Sequence, residues 1–105
     1  MISVIMPAYN KVQNISSAIE DTVNTLGKYG AEYEVIVVDD GSNDGTYDKI
    51  PSAAKEHISV KVCGYKENKG KGYALKHGFQ FAQGNLVLFL DADSDLPPSQ
   101  IPLFL

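Results

Sequence analysis

The 105-residue chain contains no tryptophan and no arginine, a single cysteine, and no uninterrupted apolar run longer than residues 86–90. Each absence closes a class of reading. All nine basic residues are lysines, scattered among thirteen acids for a formal net charge of -4. With neither a guanidinium fork for phosphate nor a basic stripe, a nucleic acid is not an expected partner. Cys63 has no second thiol in the chain to pair with, and its apolar surroundings suit a small buried hydrophobe. That pattern points to a reducing, cytoplasmic compartment. The apolar run is far short of the roughly 20 residues of a transmembrane helix, and Met1-Ile2-Ser3 lacks the basic start of a signal peptide. What remains, 44% hydrophobic and 21% charged residues, is ordinary for one globular domain.

Apolar runs of strand length recur at residues 2–7, 34–39, 60–64 and 85–91, and the stretches between them follow helical spacing. The implied order is βαβαβαβ. Ile15, Ala18, Ile19, Thr22, Val23 and Leu26 share one helical face, with Asn14 as a candidate N-cap. Tyr47, Ile50 and Ala54 mark a shorter helix; Leu75, Gly78, Phe79 and Ala82 mark a third, with Gly84 placed as its C′ residue. Residues 35–38 and 86–90 are continuously apolar, as strands are when helices cover both faces, so both are expected at the centre of a mainly parallel, doubly wound α/β sheet. Ligands bind such sheets beyond the carboxyl ends of the strands. The chain closes on Leu103-Phe104-Leu105, and the expectation is one domain over residues 1–105, cut short at its C-terminus.

Three polar clusters follow strands and therefore converge on one sheet edge: Pro7-Ala8-Tyr9-Asn10, Asp39 to Thr46, and Asp91-Ala92-Asp93-Ser94-Asp95. Asp91, Asp93 and Asp95 are three carboxylates at alternate positions after a buried strand, where their repulsion calls for a cation. A hard divalent ion shared with a diphosphate, Mg2+ or Mn2+, meets that need. An EF-hand does not, because it requires Gly where Leu96 stands and Glu where Pro102 stands. Of the pair Asp39 and Asp40, one has turn or cap work available, alongside Ser42 and Asp44, and the other is free to accept a nucleobase N–H. Gly70-Lys71-Gly72 opens the third helix, where backbone N–H groups favour an anion; close helix–sheet packing is an equal explanation of those glycines. The spacing fits neither a Walker A loop nor the Rossmann glycine fingerprint. His57 and His77 have no partner at metal or triad spacing and read as helix-surface residues.

Together these clusters resemble the nucleotide-binding half of the family 2 inverting glycosyltransferases of GT-A fold, most nearly the dolichyl- or polyprenyl-phosphate hexose synthases. The resemblance rests on Pro7-Ala8-Tyr9-Asn10, Val37-Val38-Asp39-Asp40-Gly41-Ser42 with Asp44-Gly45-Thr46, Asn68-Lys69-Gly70-Lys71-Gly72, and Asp91-Ala92-Asp93 with Pro97-Pro98. It implies that Pro7, Tyr9, Val38 and Asp40 hold the base of a UDP- or GDP-hexose, and Lys71 is added as a candidate phosphate contact. It also implies that Asp91, Ala92 and Asp93 hold diphosphate and metal, with Asp95 as a further metal ligand. Lys11 stands where the family usually has Glu. Family members continue well beyond this length, and the catalytic base and the lipid-phosphate acceptor site are expected beyond Leu105, in an enzyme working at the cytoplasmic face of a membrane. The alternatives are a family 2 transferase acting on a saccharide, a receiver-type signalling domain, and a fragment that only binds nucleotide. The exposed edge of the fourth strand, in the order 3-2-1-4, is expected to join two copies of the chain.

Overall fold

A computed structural model of the chain describes residues 1–28, 30, 32–55 and 59–90, without the side chains of 52–55. Seven elements follow in the expected alternation: β1 (Ile2–Ala8), α1 (Ile15–Lys28), β2 (Tyr33–Asp40), α2 (Thr46–Lys55), β3 (Val60–Tyr65), α3 (Lys71–Phe79) and β4 (Leu86–Phe89). The strands form one sheet in the order β3-β2-β1-β4 with every pair parallel. Each parallel step needs a crossover, and the three helices supply it.

Alternation along the two central strands divides the core. Val4, Met6, Val35 and Val37 face α1 and α2, where Ile15, Ile19, Val23, Leu26 and Ile50 cover them. Ile5, Ile36 and Val38 point the other way, against Ala74 of α3. α1 buries the face its spacing predicts. Its first turn is marked by the Asn14 carbonyl, which accepts from the Ala18 N–H at 2.9 Å. Cys63, half-buried beside the α3 layer, fits the expected small hydrophobe, and burial pushes its thiol up to about 11.

Several local expectations change. Continuous apolarity put residues 86–90 at the sheet centre, yet among the described residues β4 pairs with β1 alone, and Leu86 and Phe89 are 41% and 57% exposed. An apolar run records a need for cover, not its presence. In α3 the buried residues are Ala74 and Gly78, while Phe79 points outward. A Cβ on Gly78 would lie 2.6 Å from Ile5 Cγ2 and 2.8 Å from Val38 Cγ2. Tyr47 is likewise on the exposed side of α2, and Ile50 is its buried apolar anchor among the described residues; the side chain of Ala54 lies outside them. Gly84 is not a helix cap: α3 ends at Phe79, and a Cβ on Gly84 would meet Met1 O and Ser3 Oγ at 2.6 Å.

Candidate functional site

The segments after β1 and β2 are stitched to each other. Asn10, at φ 52, accepts from the Asn43 N–H through Oδ1 at 3.0 Å, and its own N–H donates to Ser42 Oγ at 2.9 Å. The Lys11 N–H donates to Thr46 Oγ1 at 2.8 Å, and the Val12 N–H to Asp44 Oδ2 at 3.2 Å. Asp44 also accepts from the N–H and the hydroxyl of Thr46 at the start of α2. The Thr46 hydroxyl bond, ahead of the backbone N–H bonds, holds the Asp44 carboxyl below its ordinary value. This confirms Asp44 as the side chain that serves α2. Its reach to the preceding loop was not legible from cap spacing alone.

Asp39 and Asp40 are neighbours on opposite sheet faces, as strand geometry requires. Asp39 lies on the α2 side and accepts from the Ser42 N–H at 3.2 Å through Oδ2; its buried Oδ1 has no partner among the described residues. It shares a second open cleft, of about 510 Å³, with Tyr47, Asp48 and Lys66.

Asp40, on the α3 side, organises the loop from β3 to α3. Tyr65 Oη and the Lys69 N–H donate to its Oδ1 at 2.7 and 2.9 Å; Asn68 Nδ2 and the Gly70 N–H donate to its Oδ2 at 3.0 and 3.1 Å. Asn68 Nδ2 also reaches the Asp40 carbonyl oxygen at 3.0 Å. Burial first, then the hydrogen bond to Asp40, pushes the Tyr65 phenol upward. A carboxylate offers about four lone-pair positions, so a base N–H reaches Asp40 only by displacing or sharing one of these donors. Spacing had assigned one acid of the pair to structure; here both carry structural bonds. Tyr65 and Asn68 were missed because their partner is remote in sequence.

The loop delivers Gly70, at φ 94, as the N-cap of α3, with its carbonyl accepting from the Ala74 N–H at 3.1 Å. Nothing lies within 4 Å of a Cβ built on Gly70 or Gly72, so packing does not explain either glycine; positive φ explains Gly70. An open cleft of about 300 Å³ forms between this helix start and the end of β1, lined by Pro7, Tyr9, Asp40 and Lys71, and also by Ala8, Lys11, Asn68 and Gly70. Four predicted site residues thus come together at the carboxyl ends of β1 and β2. Val38 does not line this cleft, because its side chain is fully buried under α3. Asp91, Ala92, Asp93 and Asp95 lie outside the described residues. His77, read as an ordinary surface residue, is packed edge-on to Tyr65 at 5.1 Å and to Phe81 at 5.6 Å.

A cleft at the carboxyl ends of adjacent central strands, bordered by a helix N-terminus, is the place where doubly wound α/β domains bind ligands. The Glycosyl transferase family 2 model matches residues 3–105, and the chain belongs to that family. That membership overturns the receiver-type reading. The chain is 38% identical to the undecaprenyl-phosphate 4-deoxy-4-formamido-L-arabinose transferase of Pectobacterium atrosepticum and 37% identical to that of Proteus mirabilis. Each comparison covers 96% of this chain and 31% of the relative, so the chain spans under a third of their length. Among solved structures it is similar to a mannosyltransferase from Pyrobaculum calidifontis in complex with GDP-Man and Mn2+, with TM-score 0.71 and 29% identity over 94% of this chain and 29% of that one. It is also similar to glucosyl-3-phosphoglycerate synthase from Mycobacterium tuberculosis in complex with Mn2+, UDP and glucosyl-3-phosphoglycerate, with TM-score 0.75 and 26% identity over 97% and 37% of the two chains. Among the described residues no helix is long and apolar enough to cross a membrane.

Proposed function

We propose that the chain binds a UDP- or GDP-hexose as the donor-binding part of an inverting glycosyltransferase whose acceptor is a polyprenyl phosphate. The observation that carries this reading is the cleft joining Pro7, Tyr9, Asp40 and Lys71 at the N-terminus of α3. Tyr9, 42% exposed, offers a ring face to a base, and the helix start favours the diphosphate. The acceptor class is supported by the undecaprenyl-phosphate transferases among the relatives, and the donor class by GDP-Man and UDP in the solved neighbours.

Among the described residues no group of three or more His, Cys, Asp or Glu is placed to hold a metal. The ligands of this reading are Asp91, Asp93 and Asp95, whose hard oxygen donors suit Mg2+ or Mn2+; Mn2+ in the neighbours supports the choice. Such an ion, when bound, neutralises charge on a departing diphosphate. Calorimetric titration of UDP and GDP, with Mn2+ and with chelator, tests the reading. Binding of one nucleotide that weakens at least about tenfold in chelator is expected, a difference of about 1.4 kcal/mol. Equal binding in both conditions removes the metal, and no binding of either nucleotide removes the function.

A further inference from the structure

The sheet end remote from the cleft holds a buried carboxylate that no part of donor binding uses. Glu34, at the start of β2, is 3% exposed. Its Oε2 accepts from Ser3 Oγ of β1 at 2.6 Å and from the Gln83 N–H at 2.6 Å, while its Oε1 accepts from Lys61 Nζ of β3 at 2.7 Å. Ser3 Oγ in turn accepts from the Gly84 N–H at 2.8 Å. One side chain thus links three strands to the turn that leads into β4. Gly84 is required there, since a Cβ would meet Met1 O and Ser3 Oγ at 2.6 Å and the Ser3 N at 2.9 Å.

The network matters because β4 is the strand whose register burial specifies least. Along β1 and β2 fully buried side chains alternate between two cores, so a one-residue slip would turn each of them to the wrong face. β4 has four residues and, among the described residues, one neighbour; Leu86 and Phe89 stay exposed in the observed register of Ile2 with Leu86 and Ile5 with Phe89. Within β4 the partly buried Val87 and Leu88 resist a slip, helped just beyond it by partly buried Leu90, whose N–H donates to Ile5 O at 2.9 Å. Hydrogen bonds before the strand supply the missing constraint: Gln83 and Gly84 are held by Glu34 and Ser3, and the Asn85 N–H donates to Met1 O at 3.0 Å. A slip of one residue would shift everything after β4 by roughly 3.3 Å along the sheet, more than a metal–oxygen distance.

We propose that Glu34, acting through Ser3 and the backbone N–H groups of Gln83 and Gly84, sets the register of β4 on β1 and so positions the acid-rich segment that follows β4 in sequence. Glu34 and Ser3 are positioning residues, at the opposite end of the sheet from the nucleotide cleft. The second half of this statement rests on the proposed donor reading, and the first half does not.

Backbone NMR of the labelled 105-residue chain separates the two, with wild type compared with Ser3→Ala and Glu34→Gln. Wild type should show cross-strand contacts between Ser3 and Val87 and between Ile5 and Phe89, and Mn2+ should broaden signals near residues 91–95. In both variants the β1–β2 contacts should persist, the β1–β4 contacts should shift or vanish, and amide exchange at residues 86–90 should rise at least about tenfold. Mn2+ affinity should fall by a similar factor. Variants that keep wild-type β1–β4 contacts overturn the register claim. Loss of β1–β2 contacts together with β1–β4 contacts in Ser3→Ala overturns it too, by showing a general stabiliser. If Glu34→Gln does not fold, Ser3→Ala carries the test, because it keeps the carboxylate with its Lys61 and Gln83 donors and removes the hydroxyl that bridges Glu34 to the Gly84 N–H. Wild type that ignores Mn2+ overturns the donor reading while the β1–β4 contacts still decide the register; a shifted β4 with unchanged Mn2+ affinity overturns the positioning half.

Discussion

Asp40 holds four donors on two oxygens, and this concentration of bonds sets its energetic role. Removing the charge leaves Lys69 and Gly70 N–H groups facing a weaker partner, with an amide nitrogen crowding one of them. Asp40→Asn should therefore destabilise the chain by about 2–4 kcal/mol and lower Tm by about 10 °C or more, read by circular dichroism. Nucleotide affinity should fall with it, because the same loop sets the start of α3. An unchanged Tm with lost affinity would mean that Asp40 serves the base alone. Glu34 gives a complementary prediction with pH. Burial raises its pKa, but bonds from Lys61, Ser3 and the Gln83 N–H outweigh that effect and hold it below 4.5. A depressed folded-state pKa means that its stabilisation is complete above the unfolded value and is lost as pH falls through the folded one. Wild type should lose stability between roughly pH 5 and 3 more steeply than Glu34→Gln, measured by urea midpoints across that range. Parallel acid limbs would exclude Glu34 as a source of the slope.

Within α3, two glycines of equal propensity face opposite surroundings. Gly78→Ala puts a methyl group 2.6 Å from Ile5 Cγ2, and overpacking of about 1–3 kcal/mol should exceed a helix-propensity gain of about 1 kcal/mol. Gly72→Ala meets nothing within 4 Å and should stabilise by up to about 1 kcal/mol. Opposite shifts in Tm are the expected result, and a stabilising Gly78→Ala would show that the helix can lift from the sheet. This pair also shows where sequence reading succeeds. The 3.6-residue period of α1 and the apolar run of β2 were legible because burial there is one-sided or complete, and local pattern reports it. Of the face expected for the third helix, Leu75, Gly78 and Ala82 lie on the packed side, whereas Phe79 is exposed and Ala74 went unread, because the fully buried anchors Ala74 and Gly78 are too small to mark a hydrophobic stripe. The cleft was legible from the order of post-strand clusters, since topology sends them to one edge. The Asp40 loop and the Glu34 network were not, because each joins residues 25 or more positions apart through polar atoms that carry no periodic signal.

At the scale of the whole molecule, the sheet is unevenly finished. β1 and β2 are enclosed on both faces and both edges, whereas β4 has, among the described residues, one paired edge and exposes Leu86 and Phe89. An unpaired strand edge presents a row of N–H and C=O groups to any second strand, and apolar side chains beside it add a hydrophobic gain. A second copy of the chain offers the same edge, so an isologous pair across a two-fold axis satisfies both at once. The net charge of -4 opposes this only weakly, because screening at physiological salt limits repulsion to about 8 Å. We therefore expect a dimer that dissociates on dilution, with Phe89→Lys and Leu86→Lys each shifting the equilibrium towards monomer, since an edge lysine blocks strand addition. Multi-angle light scattering over a micromolar dilution series checks this. One monomeric mass at the highest concentration would refute association, and a dimer indifferent to both substitutions would place the contact away from β4.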